Sequence, residues 1–387
     1  MGTPAGKSRV SWALWAVAAA ALWVGGAKAE EPVRVAPITA VTADFVGGDG
    51  SGVVQAQCAS CQTGPRELPP PYFDGCGSNC VAGGTCCRCE AETGFGRLYC
   101  HLYNAFQCAD PCYEPGWVAG ANAALFVDTA RPITQMTFRY DRGINMVFPD
   151  RSEYFWARIG GKKSPPPVRS LDYHQFTMIA EAGAGRFSFF TETPYRAWSA
   201  DPDSSGAGFV DITLGTKTLL IDTEYAQLTL QTRTTIPSGS AGKGLSAGHV
   251  SLEPSLILAA KLTPDTYFQG QIGEWIPIGG DAEGAGAIFS YRAALNHVIA
   301  RPFADSQFIA TLEMIGYCFQ DGTFTDPTDQ VEPFTYLKSN GGNYLSIGPG
   351  MRWAMSQKCD FGLGVQFAVT QDHFAEQLYR FEFRFRF

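Results

Sequence analysis

The C-terminal residues hold the pattern that most restricts the fold. Tyr379, Phe381, Phe383, Phe385 and Phe387 alternate with Leu378, Arg380, Glu382, Arg384 and Arg386. A period of two puts each set on its own face of a β-strand, so one face is aromatic and the other nearly all charged. A soluble sandwich could bury the rings and wet the charges, so the alternation alone does not choose an architecture. The end of the chain does: a terminal Phe with aromatics at every second position before it resembles the signal read by the outer-membrane barrel assembly machinery.

The pattern recurs upstream. Phe361, Leu363, Val365, Phe367 and Val369 share one face, and Val250, Leu252, Leu256 and Leu258 alternate with Ser251, Glu253 and Ser255. Phe289, Tyr291, Ala293 and Leu295 alternate with Ser290, Arg292 and Asn296. Segments of about ten residues with this alternation, separated by turn residues, are the signature of a transmembrane β-barrel. The connections sort by length. Those around 181–185, 222–225, 262–265, 299–305 and 356–360 are short; those around 194–208, 237–248, 277–285, 321–343 and 371–376 are mostly longer and rich in Gly, Asp and Ser. Barrels have short periplasmic turns and longer outside loops, and this parity puts the C-terminus in the periplasm. Eleven strands from about Leu171 require a partner, placed at Ile133–Arg142, because single-chain bacterial barrels usually have even counts. The expected fold is all-β: an antiparallel transmembrane barrel of about twelve strands, with ten to fourteen allowed. Residues 117–128, with Trp117, Val118, Leu125, Phe126 and Val127, fit either an extra strand or a segment entering the lumen.

The N-terminus reads as a signal peptide over residues 1–29. Lys7 and Arg9 precede an uncharged apolar stretch from Val10 to Gly26, and Ala27-Lys28-Ala29 offers a cleavage site. Its removal takes three positive charges and no acid, moving the net charge from -8 to -11. An acidic chain without a basic run gives no electrostatic footprint for nucleic acid. Residues 30–116 form a segment rich in Gly, Pro and Cys with few core-building aliphatics. They hold ten of the 12 cysteines: Cys58, Cys61, Cys76, Cys80, Cys86, Cys87, Cys89, Cys100, Cys108 and Cys112. Cys58 and Cys61 have the spacing of half a zinc site, but the other spacings match no standard finger and His101 is the local histidine. A disulfide framework of unassigned connectivity suits an exported protein better. The barrel then occupies residues 117–387. By this topology Cys318 lies towards the outer end of its strand and Cys359 in a periplasmic turn, so the two should not pair.

Gly208-Phe209-Val210-Asp211-Ile212-Thr213-Leu214-Gly215-Thr216-Lys217, a strand ending in Thr235-Ile236-Pro237-Ser238-Gly239, a Gly-rich loop and Leu252-Glu253-Pro254-Ser255-Leu256 resemble the phenol meta-pathway family. These are outer-membrane channels associated with aromatic-degradation gene clusters. The likeness covers about residues 206–300 and implies passage of small molecules, apolar ones among them. The cysteine-rich segment departs from the family pattern. With Phe138-Arg139-Tyr140-Asp141, it looks like the outer-membrane barrels of planctomycete-type bacteria.

Strand parity turns Asp211, Lys217, Arg233, Glu253, Arg292, Glu313, Arg352, Arg380, Glu382, Arg384 and Arg386 inward. They would line a lumen, either setting selectivity or filling a narrow barrel with ion pairs, with residues 117–131 as a plug. An Arg at the lipid midplane would cost about 2–4 kcal/mol, which is why the charged face must point in. Pro237–Gly244 has some letters of a phosphate-binding loop, but Gly244 follows Lys243 and no helix pattern follows. His174, His249 and His297 are candidates for a hydrolytic base, yet parity gathers them at no common place, with His297 facing lipid and His249 in a loop. The expectation is a non-enzymatic channel or passive transporter without cofactor or metal. Its partners are outer-membrane lipid, the assembly machinery and a small solute. The alternative is a structural or surface-interaction protein with a disulfide-stapled binding module on a barrel anchor.

Overall fold

The computed structural model describes Gly96 and residues 117–387, apart from 162–163, 201–203, 327 and 329–331. The signal peptide and the ten clustered cysteines lie outside the described residues. The strands are β1 (Gln135–Val147), β2 (Ser170–Ala184), β3 (Phe187–Ala200), β4 (Ser204–Phe209), β5 (Ile212–Asp222), β6 (Ala226–Ile236), β7 (Val250–Lys261), β8 (Thr266–Ile278), β9 (Ile288–Ala300), β10 (Gln307–Phe319), β11 (Thr323–Thr325), β12 (Tyr336–Lys338), β13 (Asn343–Ala354), β14 (Cys359–Ala368) and β15 (Ala375–Arg386). All pairings are antiparallel between neighbours, and β1 closes the ring by pairing with both β2 and β15. β3 pairs with β5 along Phe187–Glu192 and with β4 along Tyr195–Ala200, so β4 and β5 make one interrupted strand. The result is a closed barrel of twelve strands, with β11 and β12 forming a small hairpin in a loop. Among the described residues, no helix is long and apolar enough to cross a membrane.

Alternation fixes which face is which. Phe381, Phe383 and Phe385 are 43%, 38% and 40% exposed, whereas Glu382, Arg384 and Arg386 are 1%, 4% and 5% exposed. Rings therefore stand on the outer surface and charges inside. Outward Phe361, Leu363, Phe367, Leu256, Ile272, Leu295 and Leu312 continue the apolar surface around the barrel, far beyond the apolar patch a soluble monomer usually shows.

Two expected boundaries move. The twelfth strand runs to Val147, not Arg142, through a register shift between Gly143 and Met146 where Asn145 takes φ 51°. The long loop expected over 194–208 is instead a hairpin that extends the barrel wall, leaving 201–203 between its strands. Pro194 was the misleading turn signal. It sits where β3 changes partner from β5 to β4, a position where a missing N–H costs no ladder bond. The remaining connections keep their parity. Short turns at 185–186, 223–225, 262–265, 301–306 and 355–358 share one end, the turn end, with the start of β1 and the finish of β15. The loops at 148–169, 237–249, 279–287, 320–342 and 369–374 crowd the opposite loop end.

Candidate functional site

Residues 117–131 lie inside the barrel. At the turn end the Trp117 ring sits 3.7 Å from the Arg386 guanidinium, and Ala119 packs among Val298, Ile309 and Ala354. The chain climbs to Leu125 and Phe126, whose N–H groups donate to the Glu313 carboxylate at 2.9 and 2.8 Å. Glu313 is the middle residue of β10, so the segment reaches about half the strand height. It then returns: Asp128 accepts from Gln231 and Gln271, Thr129 from Lys217 and Ala130 from Thr229, and Arg131 pairs with Asp222 at the turn end. Apart from one 3-10 turn at Gly120–Asn122, no sheet or helix holds these residues, so the wall must satisfy most of their backbone polar groups. Asn296 donates to Gly120 O at 3.2 Å, and Ala124 N donates to Gln269 at 2.9 Å. Small side chains let the segment pass: a Cβ on Gly120 would meet the Tyr267 ring at 2.3 Å. The fastening point is Leu125, 1% exposed, which occupies a socket over Gly350, Gly362 and Gly364. A Cβ on any of the three would come within 2.6–2.8 Å of its methyl carbons.

The inward charges form a paired network against this segment. Glu382 contacts Arg139 at 2.8 Å, Arg352 at 2.7 Å and Arg384 at 2.7 Å, and Arg380 grips Asp141 at 2.7 and 2.9 Å. Asp360 joins Arg352 to Arg386. Across the lumen, Lys217 meets Glu181 at 3.1 Å, Arg233 bridges Asp128 and Glu192 at 3.1 and 2.8 Å, and Arg292 faces Glu253 at 3.7 Å. Asp211 differs from the other ten candidates. It lies between β4 and β5, and its carboxylate accepts from Gly239 N, Ser246 Oγ and Ala247 N at 2.9–3.0 Å, fastening the 237–249 loop. A cavity of about 40 Å³ remains between the segment and the wall, lined among others by Asp128, Glu181, Glu192, Lys217 and Arg233. That is space for a water or two rather than an organic solute.

At the loop end, residues 150–156 pack against the wall and its loops. Arg151, 3% exposed, donates to Tyr344 Oη at 2.7 Å and Ser339 O at 2.8 Å, and lies 4.4–4.8 Å from the rings of Phe319, Phe324 and Tyr344. Asp150 accepts from the Thr325 amide at 3.0 Å and hydroxyl at 2.5 Å, yet burial outweighs both bonds and lifts its carboxyl to about 6. Burial also raises the Glu153 carboxyl, which accepts from the amides of Arg158 and Asp281 and faces His249 Nε2 at 3.6 Å. Tyr154 meets Trp275, Tyr317 and Phe374, and fully buried Trp156 meets Trp198. Phe148, Ser152 and Glu153 take φ of 54°, 53° and 56°. Each such left-handed non-glycine residue costs about 1–2 kcal/mol, so the contacts below must hold the loop in place.

Sequence reasoning missed this mouth, and His249 is buried within it rather than lying in an open loop. His174 and His297 stand on the outer face beside Tyr140 and Thr266. Gly244-Leu245-Ser246-Ala247-Gly248 also carries the letters of a hydrolase nucleophile elbow. Ser246 is 1% exposed in a loop, and its hydroxyl donates to Asp211 rather than to a base. Cys318, near the loop end, and Cys359, at the turn end, are both free thiols.

Residues 172–385 match the model of the family described as "Putative MetA-pathway of phenol degradation". Among solved structures, the COG4313 outer membrane channel from Pseudomonas putida F1 is similar at 10% identity and TM-score 0.45, over 68% of this chain and 97% of that one. The NanC porin is similar at 8% identity and TM-score 0.40, over 65% of this chain and 100% of that one. The KdgM porin in complex with disordered oligogalacturonate is similar at 9% identity and TM-score 0.36, over 65% and 99%. No curated protein matches the sequence.

Proposed function

Because the chain belongs to the family of the putative MetA-pathway of phenol degradation, we propose that it is an outer-membrane channel or passive transporter for small molecules. In this reading residues 117–131 hold it closed. One observation carries the reading: about half the lumen's height is occupied by a stretch of chain that goes in and comes out at the same end. Side chains of the wall alone could not withdraw; a segment fastened by one leucine and a set of hydrogen bonds can. The apolar outer surface would meet lipid, with the turn end in the periplasm and the loops outside. Residues 1–29 would export the chain, and the aromatic face of β15 would present it to the assembly machinery. A disulfide framework over Cys58–Cys112 would sit next to the plug in sequence, ahead of Trp117. The inward charges would line the path once the plug moves, and catalysis has no part in the scheme.

The densely ion-paired interior favours a second reading, a rigid barrel anchoring the cysteine-rich segment for a structural or surface-interaction role. Single-channel recording of the refolded mature chain in planar bilayers separates the two. Steady or gated current supports the channel. A folded, heat-modifiable barrel that never conducts supports the anchor.

A further inference from the structure

Four consecutive plug carbonyls point at guanidinium groups from one sector of the wall. Arg384 donates to Asn122 O at 2.7 Å and Ala124 O at 3.1 Å. Arg352 donates to Ala123 O at 2.8 Å and Ala124 O at 3.2 Å, and Arg380 to Leu125 O at 2.8 Å. Five guanidinium nitrogens thus reach neutral amide oxygens, although such forks bind carboxylates in preference; Arg352 Nη2 and Arg384 Nη2 also donate to Glu382.

Each of these arginines also holds a wall carboxylate: Arg352 holds Asp360 and Glu382, Arg380 holds Asp141, and Arg384 holds Glu382. The plug offers no acid from Trp117 to Val127, and Asp128 is taken by Arg233 on the far wall. The Phe126 ring also lies 4.4 Å from the Arg380 guanidinium. Leu125 O and the Phe126 ring together therefore present Arg380 with an oxygen acceptor beside an aromatic face.

We propose that Arg352, Arg380 and Arg384 form a binding site for a small carboxylate, which the carbonyls of residues 122–125 occupy while the plug is seated. The site rests on the channel reading for its use: a carboxylate competing with the plug shifts the closed barrel towards the open one, because it binds the open form better. The solute class is then an organic carboxylate, with room for an aromatic ring where Phe126 sits.

Benzoate is the probe, titrated calorimetrically into the refolded mature chain and its loosened-plug variant Leu125→Ala. The expected result is benzoate binding at least tenfold tighter in Leu125→Ala than in the parent, and a loss of at least tenfold on adding Arg380→Gln. Benzyl alcohol, with the same ring and no charge, should bind neither. Should Arg380→Gln fail to fold, Arg384→Gln serves, since Glu382 keeps Arg139 and Arg352. Equal binding of benzyl alcohol, or binding untouched by the arginine substitutions, overturns the site. Parallel bilayer recordings separate the two claims. Current from Leu125→Ala without arginine-dependent benzoate binding sinks the site and leaves the channel. Arginine-dependent binding without current keeps the site and sinks the channel.

Discussion

Leu125→Ala empties the socket that fastens the plug, and its effect can be estimated. The side chain is 1% exposed against Gly350, Gly362 and Gly364. Those glycines belong to β13 and β14, held in register by the β13–β14 ladder, so the wall cannot collapse into the space left behind. Leu→Ala at a buried site costs about 2–5 kcal/mol, more where the surroundings stay put. In the open form this residue has left the socket, so the whole loss falls on the closed state. A value of about 3 kcal/mol corresponds to roughly a hundredfold change in the closed-to-open ratio. Single-channel recording should show open probability rising by about two orders of magnitude until it saturates, with conductance per opening unchanged. Gly364→Leu fills the socket from the other side and should act in the same direction. An open probability within threefold of the parent, in a barrel with unchanged heat-modifiable mobility, would refute Leu125 as the latch.

The mouth should respond to pH. The Asp150 carboxyl is raised from its ordinary range to about 6 by burial, so the folded loop binds a proton more readily than the free chain does. Its stabilising effect is full below about pH 4 and is lost as pH rises through 6, by about 3 kcal/mol in all. Hydrogen-exchange protection factors over residues 148–159 should therefore be higher at pH 4.5 than at pH 7.5, and Asp150→Asn should reduce the difference, leaving the part carried by Glu153; a rise in protection with pH would contradict the assignment. Lys217→Met leaves Glu181 buried without its cation, which should cost about 3–5 kcal/mol in a denaturant titration of the folded barrel. A loss below 1 kcal/mol would mean that Gln135 and Ser188, which also reach Glu181, suffice to hold it.

What could be read in advance follows from the range of the interactions. The period of two in β15 and β14 is local, and each outward ring or inward charge can be placed from its neighbours alone. Strand ends were less legible where a break in the rule had a distant cause. Pro194 looks like a turn until β3 is seen changing partners, and β1 continues past Arg142 through a bulge at Asn145. The plug was half legible: residues 117–128 fit either an extra strand or a segment entering the lumen, and the choice depends on Arg384, Arg352 and Arg380, more than 220 residues away. The mouth was illegible, because Arg151 finds its rings at Phe319, Phe324 and Tyr344, on β10, β11 and β13. Nothing near Arg151 in the chain announces a buried cation. Asp211 illustrates the opposite error: parity turns it inward, but it lies between β4 and β5, where the loop over it takes its oxygens.

The account turns on whether residues 117–131 close the barrel, and replacing them with a Gly-Ser linker of equal length tests this most directly. The linker keeps the chain continuous and removes Leu125, Phe126, Asp128 and Arg131 together. In planar bilayers the replaced chain should pass a steady current well above that of the parent at the same voltage. The same conductance from both chains, each verified as a folded barrel, would mean that the lumen is closed by something other than this segment and would contradict the account.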